Sequence, residues 1–135
     1  MADTGGRPLS PHLTIWKWGP AMAVSIFHRA SGIGLATVGA VLLCVWLLAA
    51  SSGKEAYAAL TYWASEWLGG WPGRVVLIGL TWAFFQHLGS GLRHFVMDVG
   101  AGYELKANRT GSILVFVFAV LATAAVWGWL CFVKG

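Results

Sequence analysis

From Ala30 to Ser52 the chain carries no charged residue, and this run limits the possible folds more than any other feature. About 20 apolar residues in a helix cross roughly 30 Å of hydrocarbon, and a backbone surrounded by lipid must satisfy its own hydrogen bonds. The first candidate span runs from about Ala21 to Ala50, the second from about Val75 to Leu92 and the third from about Ser112 to Val133. Of the 135 residues, 58% are hydrophobic and 10% charged, with mean hydropathy +0.70. A soluble core of this size does not bury that much apolar surface. The expected fold is an all-α membrane protein: three transmembrane helices, with a short interfacial helix between the first and second.

Charge sets the orientation. Arg7, Lys17 and Arg29 precede or open the first span, and Arg93, Lys106 and Arg109 lie in the second connection; Lys54, Arg74 and Lys134 are on the other side. The positive-inside rule therefore places the N-terminus and the segment 93–111 on the cytoplasmic or matrix face of a bacterial or mitochondrial inner membrane. Residues 1–20 read as a segment on that face, and 21–135 as one membrane domain. The net charge of +4 is small and dispersed, which argues against a nucleic-acid partner. Cys44 and Cys131 lie in apolar runs without CxxC spacing and read as small buried apolar residues. The opening MADTGGRPLSPHL has no apolar core of a secretory signal.

The first connection contains Tyr57, Leu60, Ala64, Trp67, Leu68 and Trp71 near helical spacing, which predicts a helix lying on the outer surface. Gly69, Gly70, Pro72 and Gly73 are expected to end it. Gly32, Ala36 and Ala40, and Ala124 with Gly128, recur at four-residue intervals and offer surfaces for close helix approach.

Ionisable side chains in lipid are costly and default to function. Here they gather in SIFHRASG (25–32) and FQHLGSGLRHFVMD (85–98). Because the first span begins and the second ends on one face, the two segments are expected to meet there. His87 lies six positions before Arg93, roughly 9 Å deeper at 1.5 Å per residue. A neutral imidazole at that depth needs a partner. It is either an axial ligand of haem iron, with Ser90 and Gly91 leaving the adjoining helix face bare for a flat macrocycle, or an interhelical hydrogen-bonding group. His94 lies roughly 10 Å nearer water on a similar face, and His28 and Arg29 reach the same level from the first span. These groups suit propionates at a haem rim; snorkelling toward headgroups is the other reading of Arg29 and Arg93. Asp98 is one turn from His94 and is expected to pair with it or with an arginine. Ser25 and Arg29, also one turn apart, offer hydrogen-bond donors to a quinone carbonyl, although a helical serine also bonds back to the carbonyl four residues earlier.

RPLSPHLTIWKW (7–18), SIFHRASG and HLGSGLRHFVMD (87–98), in this order across nearly the whole chain, closely resemble the cytochrome b subunit of succinate dehydrogenase, respiratory complex II. The resemblance implies a membrane anchor made with a second small hydrophobic subunit. Both would hold an iron-sulfur subunit and a flavoprotein subunit that pass electrons from succinate to ubiquinone. It implies that His87 ligates the iron of haem b, with the second axial histidine supplied by the partner, that Ser25 and Arg29 contact quinone, and that His28 and Arg29 lie beside the propionates; His94 and Asp98 belong to the matched motif without a role that carries over. Trp16 stands where the family usually has tyrosine, which removes a phenol. The chain has no acid, nucleophile or flavin fold for succinate oxidation, so it is expected to be non-catalytic alone.

Two alternatives remain at the level of sequence. One is a self-contained membrane electron-transfer cytochrome with His28 and His87 as the two axial ligands. The other is a haem-free scaffold or transport protein, against which stands the position of every carboxylate (Asp3, Glu55, Glu66, Asp98 and Glu104) outside the spans.

Overall fold

The computed structural model describes residues 17–134. Arg7, His12, Trp16 and most of the RPLSPHLTIWKW segment lie outside them, as does Asp3. The described chain is helical, with helices α1 (Pro20–Gly34), α2 (Ala40–Ser51), α3 (Lys54–Leu68), α4 (Trp71–Asp98) and α5 (Leu105–Lys134), and a π-helical turn (Leu35–Gly39) joining α1 to α2. Three segments are long and apolar enough to cross a membrane: Pro20–Ser51, Trp71–Asp98 and Leu105–Val133.

Local chemistry sets the ends. Pro20 sits in the first turn of α1, where a missing N–H costs no helical bond. Pro72 does the same in α4, so Pro72 and Gly73 belong to that helix and only Gly69–Gly70 separates it from α3, a tighter break than the sequence pattern predicts. Gly53 connects α2 to α3 with φ of 106°, a backbone region that a side chain disfavours. At the C-terminus of α4, Gly100 N–H donates to the Met97 carbonyl (2.9 Å) and Ala101 N–H to the Val96 carbonyl (3.2 Å). This Schellman pair, with Gly100 at φ of 84°, stops the helix and turns the chain toward α5. Both α4 and α5 run beyond their apolar stretches because helical bonding continues through polar residues at the membrane edge.

The bundle is formed by α1, α4 and α5, which pack on one another. Phe27 of α1 meets Trp82 of α4 and Phe116 of α5 edge to face, with ring centroids 5.5 and 5.7 Å away. Gly89 admits Phe118: a Cβ there would lie 3.0 Å from that ring. Trp127 Nε1 donates to Thr81 Oγ1 at 3.3 Å and ties α5 to α4 toward the other face. The buried residues are more often small or polar than large and apolar: Ala119, Ser31, Gln86, Ser90, Ser112 and Thr123 beside Val24 and Val115. Such a composition fits helices that associate in lipid by close packing and hydrogen bonds rather than by escape from water.

Beyond the π turn the first span leaves the bundle. α2 packs on α3 and on neither α4 nor α5, and Leu42, Leu43, Val45, Trp46, Leu47 and Leu48 are all exposed. The four-residue stripe of small residues is correspondingly divided. Gly32 packs on α4, whereas Ala36 and Ala40 face outward, because a turn closed by i→i+5 bonds breaks the i, i+4 register. Ala124 and Gly128 are exposed as well. In α3 the partly covered face is Ala56, Leu60 and Ala64, while Tyr57, Tyr62, Trp63 and Trp67 are exposed. The aromatic side chains therefore do not supply the packed face of that helix. Cys44 and Cys131 are free and exposed on the helices, not buried.

Candidate functional site

The two polar segments meet as topology requires. α1 carries Ser25, His28, Arg29 and Ser31 past the C-terminal half of α4, which carries His87 and His94. The His28 ring lies face to face with His87, centroids 4.1 Å apart and planes 7° apart, and is 5.1 Å from His94. Thus the three histidines of the spans form one column at the end of the bundle where α1 begins and α4 ends. Gly32 makes the close approach possible, since a Cβ at that position would fall 2.8 Å from His87 Cε1.

Hydrogen bonding defines the state of His87. Its Nδ1 lies 3.1 Å from the His28 carbonyl oxygen and 3.3 Å from Ser31 Oγ. A carbonyl can only accept, so the proton belongs on Nδ1 and the lone pair on Nε2. Nε2 has no hydrogen-bond partner among the described residues. An axial ligand of haem iron requires this tautomer: one nitrogen donating to a backbone oxygen, the other free to coordinate. The residues present therefore fit a haem ligand. The two sequence readings of His87 also prove compatible, because the interhelical hydrogen bond uses one nitrogen and leaves the other.

The His28–His87 stack is not the arrangement of two axial ligands to one iron, whose lone pairs must point at a common centre from opposite sides. Nor do the described residues contain a cluster of three or more His, Cys, Asp or Glu able to hold a metal ion directly.

Arg29 is exposed and Ser25 half-buried. Arg29 Nη2 donates to Ser25 Oγ at 3.2 Å. Ser25 does not bond back to the carbonyl one turn earlier, so its own proton remains available, as do other N–H groups of the guanidinium. The pair presents a compact set of donors beside the histidine column.

Other expected contacts are absent. Asp98 is exposed and pairs with neither His94 nor an arginine among the described residues. Ser90 does not border an open face: it is fully buried inside the bundle, whereas Gly91 is the position with open space beside it. Arg93 is half-buried, and its side chain passes Gly111 of α5. The carboxylates Glu55, Glu66, Asp98 and Glu104 are all exposed, which leaves no acidic group inside the described bundle for a proton relay.

Three participants went unassigned in the sequence. Ser31 and the His28 carbonyl engage His87. Gln86 is fully buried with both amide atoms unpartnered, as are Ser90 Oγ and His28 Nδ1. A glutamine next to a candidate ligand histidine was the one available signal for that buried polarity.

Comparison with known proteins gives a consistent picture. The family described as succinate dehydrogenase/fumarate reductase transmembrane subunit matches residues 3–126. The succinate dehydrogenase cytochrome b556 subunit of Paracoccus denitrificans is 38% identical over 125 residues, covering 90% of this chain and 92% of the relative. That of Rickettsia conorii is 33% identical over 121 residues, covering 90% of each. The mitochondrial succinate dehydrogenase cytochrome b560 subunit of Homo sapiens is 33% identical over 117 residues, covering 87% of this chain and 68% of the relative.

Proposed function

The chain belongs to the succinate dehydrogenase/fumarate reductase transmembrane subunit family, among cytochrome b membrane-anchor subunits of complex II, and from that premise we propose that it binds haem b through His87 and helps form a ubiquinone-reduction site with Ser25 and Arg29. The observation that carries the proposal is the His87 Nδ1 contact with the His28 carbonyl at 3.1 Å, which leaves Nε2 with the lone pair a metal ligand needs. A haem held there supplies reversible one-electron chemistry. His28 is stacked on His87 and is not placed as its counterpart, so the haem would be held between His87 and a histidine of the other small anchor subunit. His28, Arg29 and His94, grouped at this end of the bundle, would meet its propionates, whose charge such cationic and donor groups neutralise.

For the substrate, Ser25 and Arg29 orient ubiquinone by donating hydrogen bonds to a carbonyl. Such bonds strengthen as negative charge develops on that oxygen, which favours reduction over mere binding. Succinate oxidation belongs to the flavoprotein subunit, and an iron-sulfur subunit delivers the electrons. The exposed apolar length of α2 and the groove between α4 and α5 lined by Val75, Gly79, Trp82 and Ala124 supply surface for the second anchor subunit and for lipid. Residues 21–135 form the membrane domain, residues 1–20 lie on the cytoplasmic or matrix side of the inner membrane, and α3 rests at the opposite surface with its exposed tryptophans at headgroup level.

The test is purification through a tag on this chain. The expected result is co-isolation of a flavoprotein, an iron-sulfur protein and a second small membrane protein, with a b-type reduced-minus-oxidised spectrum and succinate:quinone activity. Isolation of the chain alone, without haem absorbance, would overturn the proposal.

A further inference from the structure

Two residues of α1 beyond those already assigned act on His87. Ser31 is 8% exposed, so its hydroxyl finds its partners within the protein. It donates to the His28 carbonyl at 3.1 Å, a bond back along its own helix. With that proton committed, the oxygen lone pairs are what Ser31 turns toward His87 Nδ1, 3.3 Å away. The carbonyl oxygen and the hydroxyl oxygen therefore both act as acceptors toward Nδ1. The opposite tautomer would set the Nδ1 lone pair against the carbonyl lone pairs, a repulsion that Ser31 cannot relieve without giving up its bond to that same carbonyl. Beside it, Gly32 leaves the room the ring occupies: an added Cβ would lie 2.8 Å from Cε1 and 3.2 Å from Nδ1, so any side chain there displaces the ring.

We infer that Ser31 and Gly32 are positioning residues for the haem ligand: Ser31 adds a second acceptor at Nδ1, supporting the tautomer that the His28 carbonyl sets and raising the donor strength of His87, and Gly32 sets how close the ring lies to α1. This inference rests on the reading of His87 as an axial ligand. A group that hydrogen-bonds to the non-coordinating nitrogen of a ligand histidine makes the coordinating nitrogen a better donor, and its loss typically weakens metal binding by about 10- to 100-fold. A stronger donor favours ferric over ferrous iron, so removing the Ser31 acceptor raises the midpoint potential.

The experiment uses the complete complex carrying Ser31→Ala, Ser31→Thr, Gly32→Ala or His87→Ala, each checked for native subunit ratios. Three readouts are taken: midpoint potential by redox titration, low-spin EPR g-values of the ferric haem, and the rate of haem transfer to an apo-haem acceptor protein. Ser31→Ala is expected to raise the potential and speed haem loss about tenfold. Ser31→Thr keeps the hydroxyl and stays near the wild type. Gly32→Ala shifts the g-values through a displaced ring. If His87→Ala loses the haem while Ser31→Ala matches wild type in all three readouts, the positioning inference is wrong and the ligand assignment stands. If His87→Ala keeps an unchanged haem, the ligand assignment falls and the inference falls with it.

Discussion

The Ser25–Arg29 pair provides a quantitative test of the quinone site. The two side chains share one face of α1 and one hydrogen bond, Arg29 Nη2 to Ser25 Oγ at 3.2 Å. An exposed pair at this spacing adds only about 0.3–0.5 kcal/mol to the helix itself, so removing either member should leave assembly intact. Toward a substrate carbonyl the values differ. A neutral hydroxyl donor is worth about 0.5–1.5 kcal/mol and a charged one about 1.5–3, corresponding to losses of about 2- to 10-fold for Ser25→Ala and about 10- to 150-fold for Arg29→Ala in kcat/KM for quinone. Since Ser25 also holds the guanidinium in place, the double variant should lose less than the product of the single losses. Succinate:quinone and succinate:dye activities would be measured on the same purified complexes. Dye reduction should stay near wild type, because that electron acceptor does not need the membrane site. Equal loss in both assays, or strictly multiplicative losses, would show that the pair does not act together on a bound quinone.

Gly89→Ala places a Cβ 3.0 Å from the Phe118 ring; the resulting overpacking should destabilise the bundle by about 1–3 kcal/mol, visible as a lower Tm of the complex in detergent, and an unchanged Tm would contradict the packing described. Thr81→Val and Trp127→Phe each remove the same interhelical bond and should cost about 0.6 kcal/mol, a common value for such bonds in membranes. Their double variant should be no worse than either single, and additive melting shifts would show that the bond does not form. In a background of Cys44→Ala and Cys131→Ala, an impermeant maleimide should label Lys54→Cys from the periplasmic or intermembrane side and Lys106→Cys only from the opposite side. The reverse pattern would invert the orientation.

The sequence was informative where a single physical requirement acts on consecutive residues. Covering hydrocarbon takes a long apolar run, so the three spans were legible. Antiparallel connection of the first two then brought His28, Arg29 and His87 to one end without any coordinates. What escaped depends on helix rotation and on partners far apart in the chain. Ser31 looks like any helical serine until α4 brings His87, 56 positions away, against it. Ser90, expected on a bare face beside His87, is instead fully buried, because rotation of α4 is fixed by how Gly89 receives Phe118. The π turn has no signature in hydropathy, yet it sends α2 out of the bundle and divides the small-residue stripe. Pro72 illustrates a smaller ambiguity: the residue that breaks a helix interior also suits a helix start.

The most direct measurement on the central claim is the haem content and EPR spectrum of the purified complex with His87→Ala compared with His28→Ala. Loss of the low-spin haem signal in the first, with a six-coordinate low-spin haem retained in the second, is the predicted result. A wild-type haem spectrum in His87→Ala, or loss of six-coordination in His28→Ala to the same extent, would contradict it.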